Sequence, residues 1–402
     1  MNNAIFSDSR KKFIFYMVVC AIGVFDLAIF FYLPLLSNVR RDFGISEAAV
    51  QFTAVINLLG LGVSSIIYGN LSDAWGRKKL IVFGILCFSI ASFMISLTHS
   101  VTSLYFFRFL QGIGAGVSWS VGNAIVHDIY KGKQFEKAII KLQILIGVVI
   151  VASPSIGAYV GANIGWRNSF VLISGLGAIL LICSIFFLPE TLEHQKSKLN
   201  IKKILSNYKV LLSNSSFVSY MVIKVLFVSV AFINVTTLPL IFIERFLTSI
   251  EFCGILMAFG GLGFVIGGMV NDKLINYFNS DQIIRYALIG VFFSSISLII
   301  MEYTGYIDPI AIQAIKIPYL FAIAWIFGNA THKVVSSVPK LAGSASATMI
   351  MFEMLFSAFA VKLTSCFYDQ TIYPMEIFTL IATLISFFFL SRAERFNIDN
   401  KK

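Results

Sequence analysis

The chain has 402 residues, of which 58% are hydrophobic and only 13% are charged. A soluble domain carries roughly 25% charged residues, so this composition excludes an ordinary soluble enzyme or binding domain. The net charge of +11 does not indicate a nucleic-acid-binding protein, because the basic residues form short clusters between apolar blocks and not one stripe.

The apolar residues occur in blocks of about 20, the helix length that crosses about 30 Å of hydrocarbon. These blocks are too long and too continuously apolar for the strands of a membrane barrel. We therefore predict an all-α polytopic membrane protein with twelve transmembrane helices, called spans 1 to 12. Their expected limits are 13–36, 47–70, 80–98, 102–125, 138–162, 168–188, 216–240, 252–271, 284–301, 309–331, 342–366 and 372–391.

The longest connection, 189–215, carries five lysines and divides the spans six and six. We predict an N-terminal six-helix bundle over 1–188, a cytoplasmic basic linker over 189–215 and a C-terminal six-helix bundle over 216–402. From Leu199 to Leu212, apolar and basic residues alternate at helical spacing, which indicates an amphipathic helix on the membrane surface. A partner-binding helix is the alternative.

The distribution of Lys and Arg predicts the orientation. One alternating set of loops and termini carries 23 of these residues, and the other set carries 4. Basic loops stay on the cytoplasmic side of a membrane. We therefore expect both termini in the cytoplasm and the protein in a bacterial-type inner membrane.

Three motifs in the first half combine glycines with charges or proline. Glycines four residues apart allow helices to pack closely, and a proline with flanking glycines makes a helix bendable. An arginine inside a span costs at least about 2.5–3.5 kcal/mol and should face the bundle interior or an aqueous cavity. The motifs are Gly69-Asn-Leu-Ser-Asp73-Ala-Trp-Gly76-Arg77-Lys78 after span 2, Arg108-Phe-Leu-Gln-Gly-Ile-Gly-Ala-Gly116 in span 4, and Gly147-Val-Val-Ile-Val-Ala-Ser-Pro154-Ser-Ile-Gly157 in span 5.

These motifs resemble the signature sequences of the major facilitator superfamily. The segments Tyr32-Leu-Pro34 and Gly343-Ser-Ala-Ser-Ala347 are similar to those of its twelve-span drug:proton antiporters of the Bcr/CflA type. The resemblance covers nearly the whole chain and implies two six-helix halves, with spans 1, 4, 7 and 10 around a central cavity. It also implies functional motifs: a cytoplasmic gate at Gly69, Asp73, Gly76, Arg77 and Lys78, and an antiporter motif at Gly147, Pro154 and Gly157.

Two positions depart from the pattern of that family. Ala74 replaces the basic residue that usually follows the aspartate of the gate motif, so one expected salt bridge is missing. Phe30 stands where the drug-antiporter subgroup often has an acidic residue. Asp26 lies one helical turn deeper in span 1 and is the candidate for the same role.

Each cavity-lining span contains one ionisable residue, and hydrocarbon penalises such residues unless they serve a function or find a partner. For Lys316 the alternative is snorkelling to the periplasmic interface, and ion pairing inside the bundle is an alternative for every member. We predict a substrate cavity lined by Asp26, Phe30, Arg108, Lys224 and Lys316.

Asp26 and Glu353 are the acidic residues expected near the middle of the membrane. We predict that Asp26 carries the coupled proton and that Arg108 controls its protonation, with Glu353 as the second candidate. Substrate and proton would then compete for one site, which produces antiport without covalent chemistry.

The leading hypothesis is proton-coupled export of a small organic molecule, of the multidrug-resistance type. Three cavity cations against one anion point to an alternative substrate, an anionic metabolite or siderophore of the polycarboxylate type. An uptake symporter and a non-transporting membrane sensor are further alternatives. We expect no enzymatic activity, no metal site and no cofactor, because no cluster of His, Cys and carboxylates lies at one membrane level. The expected partners are a small-molecule substrate, protons and the lipid bilayer, with no nucleic acid and with a monomeric protein.

Overall fold

The computed structural model describes residues 6–130, 133–192, 201–338 and 341–399. Within the helices, the side chain of Asp73 and the surroundings of Gly69 and Gly343 are also outside the described part of the chain. The described chain is almost wholly helical and contains no strand. The all-α fold that the apolar blocks predict is therefore confirmed.

The first six spans lie in residues 6–192, which we call the N-half. Span 5 and span 6 form one helical run that is broken at Gly165. Span 4 consists of two helices that meet at Gly116. The elements are Asp8–Tyr32, a 3-10 turn at Leu33–Leu35 and Leu36–Phe43 (span 1), Glu47–Trp75 (span 2), Arg77–Ser96 (span 3), Val101–Ala115 and Val117–Ile129 (span 4), and Lys133–Phe187 (spans 5 and 6).

The last six spans lie in residues 201–399, which we call the C-half. The helix predicted in the linker is present at Ile201–Ser213, while Leu199 and Asn200 lie outside the described residues. The spans are Ser215–Leu240 with a π-helical end at Ile241–Arg245 (span 7), Ile250–Leu274 (span 8), Ser280–Thr304 (span 9), Pro309–Ser336 (span 10), Ala342–Cys366 (span 11) and Tyr373–Asp399 (span 12).

Ten helical stretches among the described residues are long and apolar enough to cross a membrane. Span 4 is not one of the ten because its helices of 15 and 13 residues are each shorter than the roughly 20 residues that a crossing needs. The stretch Leu145–Phe187 counts once although it contains two spans. Gly165 separates these two spans with φ 82, a backbone angle that glycine adopts readily and other residues rarely do. Twelve crossings result.

Each half has its own apolar core. One cluster of buried residues comes from the N-half with the addition of Leu240, and a second comes entirely from the C-half. A third cluster joins Val55 and Leu58 of span 2 to apolar residues of the C-half. The two halves meet where span 2 packs against span 11 and where span 5 packs against span 8.

Polar contacts between described residues of the two halves are found at one end of the bundle. Because the number of spans is even, both termini lie at one end, which we call the termini end, and we call the opposite end the far end. The polar contacts between described side chains of one half and the other half lie toward the far end. They are the ion pair of Arg40 with Glu244, the hydrogen bond from Ser155 Oγ to the Gly254 carbonyl (2.8 Å), and the Lys362 ammonium above the Phe52 ring (5.2 Å).

Span 4 approaches span 2 closely at two glycines. A Cβ atom on Gly112 would overlap the carbonyl oxygen of Asn57, and one on Gly60 would overlap that of Phe109. Glycine removes the side-chain bulk that otherwise keeps two helix backbones apart. The small residues of the span 4 motif therefore have a packing role.

Alanine at Gly112 is expected to push these helices apart and to destabilise the protein by about 1–3 kcal/mol. Gly175 is the matched control, because no heavy atom lies within 4 Å of its Cβ position. Thermal unfolding in detergent should show a lower midpoint for Gly112→Ala and an unchanged or higher one for Gly175→Ala, because alanine favours a helix interior over glycine. Equal midpoints for the two variants would contradict this packing.

Candidate substrate and proton site

Asp26 is a buried residue of span 1. It shares a stripe of span 1 with Ile22, which packs against Gly122 of span 4, and with Phe30. Phe30 stacks on Phe232 of span 7, with ring centroids 6.4 Å apart and an interplanar angle of 16°. We call these two rings the aromatic pair. Asp26 is buried one helical turn from Ile22, which contacts span 4, and one turn from Phe30, which contacts span 7.

On the C-half side, spans 7 and 11 bring a cation and a carboxylate together. Lys224 is buried, with its ammonium 3.8 Å from the centroid of the Phe327 ring and 3.5 Å from the carbonyl oxygen of that residue. Glu353 lies close enough for its charge to interact with that of Lys224. One Glu353 oxygen is buried without a hydrogen-bond partner among the described residues. That oxygen is available to a proton or to a donor group of a ligand.

These three ionisable residues lie at similar depths. Counted from the aromatic pair at a rise of 1.5 Å per residue, Asp26 lies about 6 Å and Lys224 about 12 Å toward the termini end. The hydroxyls of Ser229 and Ser357, 3.1 Å apart, align span 7 with span 11. This alignment places Glu353 about 10 Å from the aromatic pair. We call Asp26, Lys224 and Glu353 the charged layer.

Arg108 is buried among neutral partners. Its side chain donates hydrogen bonds to Gln111 Oε1 at 2.6 Å and to the Thr53 carbonyl at 3.2 Å. Its guanidinium carbon lies 4.4 Å from the centre of the Tyr32 ring, and the residue is 1% exposed. Amide, carbonyl and π-face contacts therefore stabilise this cation in the part of the chain that the structure describes.

Arg108 and Asp26 lie at different depths. Span 4 runs antiparallel to span 1, and the two helices touch where Ile22 meets Gly122. From that point the helical rise places Arg108 about 15 Å farther than Asp26 toward the far end. Asp26 and Arg108 are therefore not in contact in this conformation, and control of Asp26 by Arg108 stays a prediction.

Lys316 forms an ion pair with Glu376 of span 12 and donates a hydrogen bond to Asn234 Oδ1 at 2.6 Å. The Lys316 and Glu376 side chains are 1% and 0% exposed. The Tyr319 ring centroid lies 4.2 Å from the ammonium. The snorkelling alternative for Lys316 is wrong, because its charge is held inside the C-half.

Sequence reasoning missed Glu376. The residue lies four positions inside the predicted span 12, where a carboxylate can also reach the membrane interface. Glu376 differs from an interfacial carboxylate in its contact with Lys316, which belongs to span 10 and not to a span adjacent in sequence. This contact is visible only in the three-dimensional structure.

The gate motif after span 2 makes contacts with two other spans of its own half. Gly76 has φ 106, and a Cβ atom there would overlap the Glu190 carboxylate. The Arg77 backbone N–H donates to Glu190 Oε1 at 2.9 Å, and its guanidinium pairs with Asp128 of span 4 at 3.2 Å. Lys78 Nζ donates to the carbonyl of Ile185 at 2.8 Å. Gly69 and the Asp73 side chain lie outside the described residues.

The antiporter motif of span 5 lies between the halves. A Cβ atom on Gly157 would overlap the backbone of Phe31 in span 1. On the other side of the helix, the Pro154 carbonyl and the Ser155 backbone approach Gly254 of span 8. Gly147 is more loosely placed, with Val265 as the nearest neighbour of a Cβ at 3.9 Å. The bendable part of span 5 therefore touches both halves.

A family model, the Major Facilitator Superfamily, matches residues 18–361. The chain belongs to the major facilitator superfamily. This finding confirms the predicted fold of twelve transmembrane helices, since the superfamily consists of multi-pass transporters. As a superfamily member the protein is a transporter and not an enzyme.

Curated relatives fit the drug-antiporter branch that the motifs resemble. The chain is 26% identical over 361 residues to an MFS-type transporter, YdgK, of Bacillus subtilis, with 88% of each chain covered. It is 21% identical to a bicyclomycin resistance protein homolog of Haemophilus influenzae, covering 96% of this chain and 98% of the relative. Identity to multidrug resistance protein D of Escherichia coli is 29%, over 52% of each chain.

Solved structures share the fold at low sequence identity. The chain resembles the xylose transporter XylE of E. coli in a partially occluded inward-open conformation, with a TM-score of 0.77 at 13% identity. That match covers 95% of this chain and 97% of XylE. A bacterial homolog of the human lysosomal transporter Spinster gives a TM-score of 0.76 at 13% identity, covering 97% and 99% of the two chains.

Removing one member of the Lys316–Glu376 pair should be more harmful than removing both. Glu376→Leu leaves a buried ammonium without a counter-ion, which typically costs about 3–5 kcal/mol. The double variant Lys316→Met/Glu376→Leu is expected to recover most of that loss. Thermal midpoints and the yield of folded protein from membranes measure the difference. A single variant as stable as the wild type, or a double variant no better than the single one, would contradict the buried pair.

Proposed function

We propose that this protein is a proton-coupled exporter of small organic molecules, of the multidrug-resistance type, that works by alternating access. The observation that carries the proposal is the charged layer of Asp26, Lys224 and Glu353. The layer contains residues of both halves and lies on the termini side of the aromatic pair. The aromatic pair and the contacts between the halves at the far end separate it from that end.

The orientation of the protein in the membrane determines which side of the membrane each end of the bundle faces. The 23 Lys and Arg residues of one set of loops, against 4 in the other, favour an inner-membrane protein with both termini in the cytoplasm. The far end is then periplasmic, and the described conformation is the one closed to the periplasm. Rocking of the two six-helix bundles, 1–188 and 216–402, around the charged layer would expose it to each side in turn. The separate apolar cores of the halves support such rigid-body movement.

Asp26 and Glu353 are the proton carriers in this proposal. On the periplasmic side they bind protons and release the substrate, and on the cytoplasmic side the substrate displaces the protons. Proton and substrate binding exclude each other, so each step leads to the next without covalent chemistry. When Glu353 has released its proton, its carboxylate lies close enough to the Lys224 side chain for an electrostatic interaction between them.

Charge balance favours a drug over the anionic metabolite or siderophore as substrate. The sequence-based count set three cations against one anion, but Lys316 pairs with Glu376, and Lys224 interacts electrostatically with Glu353. With Arg108 and Asp26, the described interior of these spans then holds three cations and three carboxylates. An excess of positive charge that would attract a polycarboxylate is not present in this part of the chain. The names of two relatives, a bicyclomycin resistance protein homolog and multidrug resistance protein D, agree with drug export.

In proteoliposomes, a pH gradient is expected to drive movement of a lipophilic drug through the wild-type protein. Asp26→Asn should lower the pH-driven rate at least tenfold, because its side chain cannot release a proton. Glu302→Gln is the matched control, because it removes a carboxylate that pairs with Arg245 within the C-half, and it should keep the pH-driven rate. If Asp26→Asn transports normally, Glu353→Gln must abolish the coupling instead. Wild-type transport that does not respond to the pH gradient would contradict proton coupling.

The substrate class has a separate test. A deletion strain complemented with the gene on a plasmid should export a lipophilic cationic or neutral drug. It should not export a polycarboxylate such as citrate. Secretion of the polycarboxylate that is lost in Lys224→Ala would overturn drug export in favour of the anionic alternative.

A further inference from the structure

Arg40 connects the two halves at the far end. It lies in the last turn of Leu36–Phe43, a helix that ends at Gly44 with φ 61. One guanidinium nitrogen lies 2.6 Å from Glu47 of span 2, in the same half. The other lies 2.9 Å from Glu244, at the end of span 7 in the C-half. The planar guanidinium therefore holds carboxylates from both halves at once.

This is the one ion pair between described residues that crosses from one half to the other. The Glu244 side chain is 10% exposed, so the contact is partly shielded from water. Other described ion pairs at the same end, such as Arg245 with Glu302 and Arg167 with Asp42, each stay within one half. They therefore cannot resist separation of the halves.

Tyr368, in the loop between spans 11 and 12, lies beside this ion pair. The charges of Glu244, Glu47 and Arg40 all act on its hydroxyl. Burial raises the pKa of Tyr368, and the two carboxylates raise it further. Its ring also packs on apolar residues of both halves. Tyr368 thus limits the access of water to the ion pair from the side of the C-half.

The far ends of spans 1 and 7 contain the same three-residue sequence. Leu33-Pro34-Leu35 and Leu238-Pro239-Leu240 occupy matching positions in the two spans, and each segment adjoins a departure from regular α-helix. In related halves facing each other, matching segments lie near the axis that relates the halves. Identical charges there would repel each other across the axis. Here Arg40 of one half meets Glu244 of the other, so the contact is attractive.

We propose that the Arg40–Glu244 ion pair is the latch that keeps the far end closed, with the aromatic pair as a second barrier between the latch and the charged layer. The proposal rests on the alternating access proposed above. Arg40 and Glu244 are positioning residues, because they bind the halves to each other and not the substrate. The latch breaks when the far end opens, and water then replaces each partner.

Cys253 reports directly on this closure. It lies in the first turn of span 8, is 0% exposed, and packs in the apolar cluster that also contains Val55 and Leu58 of span 2. Because this cluster joins the two halves, their separation at the far end is expected to open it and to raise the labelling rate of Cys253 by a polar maleimide. The test protein keeps Cys253 as its single cysteine, with Cys20, Cys87, Cys183 and Cys366 changed to serine, in lipid nanodiscs.

Glu244→Gln is expected to raise the labelling rate of Cys253 about threefold to fivefold, the effect of losing one partly exposed ion pair. Glu302→Gln is the matched control. It removes a carboxylate that also pairs with an arginine at the far end, but within the C-half, and it should leave the rate unchanged. Arg40→Lys should give an intermediate rate, because an ammonium cannot hold both carboxylates in the bidentate manner of a guanidinium.

An unchanged rate in Glu244→Gln, or an equal increase in Glu302→Gln, would overturn the latch. The labelling needs no substrate and no proton gradient, so it is independent of the proposed function. If the labelling follows the expectation while the wild type moves no drug, the latch stands and the proposed function fails. If the wild type transports drug and the labelling rate is the same in all variants, the proposed function stands and the latch fails.

Discussion

A charge inside hydrocarbon must find its partner within the protein, and this constraint organises the interior of the molecule. Arg108 has Gln111 and the Tyr32 ring, and these partners belong to the N-half. Lys316 has Glu376 in the C-half. In each of these cases the compensation is complete within one half, so the halves can separate without exposing an unpaired charge to lipid.

The ion pair that crosses between the halves obeys the same constraint. Arg40 and Glu244 lie at the far end, where water can solvate each of them when the contact opens. Breaking an ion pair at such a place costs about 1 kcal/mol or less, far below the cost of breaking one in the interior. An ion pair that must form and break in every cycle therefore has a low free-energy cost of breaking only near water. A permanent ion pair such as Lys316–Glu376 can lie in the apolar interior.

Much of the fold can be predicted from the sequence, because the length of an apolar block directly reflects membrane thickness. The twelve spans and their order follow from it, and the helix predicted in the linker is present. The limits of the spans are less accurate, since helices continue past the hydrocarbon: span 3 is predicted at 80–98 and runs from Arg77 to Ser96. Span 4 is continuous in the apolar pattern, but its helix is interrupted at Gly116.

The candidate site is less predictable, because depth and pairing are tertiary properties. Sequence reasoning places Asp26 and Arg108 in cavity-lining spans but does not compare their depths along antiparallel helices. It identifies Lys316 as a buried cation and misses its partner Glu376, which comes from a span distant in the chain. The Leu-Pro-Leu repeat is visible in the sequence. Its position at the contact between the two halves becomes evident only from the Arg40–Glu244 ion pair, whose residues follow the two copies in the chain.

The central claim is that the halves move as rigid bodies around the charged layer while each keeps its own inner pairs. Distances between spin labels at exposed far-end positions test it most directly. His99 and Asn163 lie in the N-half, whereas Leu247 and Tyr306 lie in the C-half. On changing pH or adding a transported drug, the His99–Tyr306 distance should change while the His99–Asn163 and Leu247–Tyr306 distances stay constant. Changes of similar size within a half would contradict rigid-body movement.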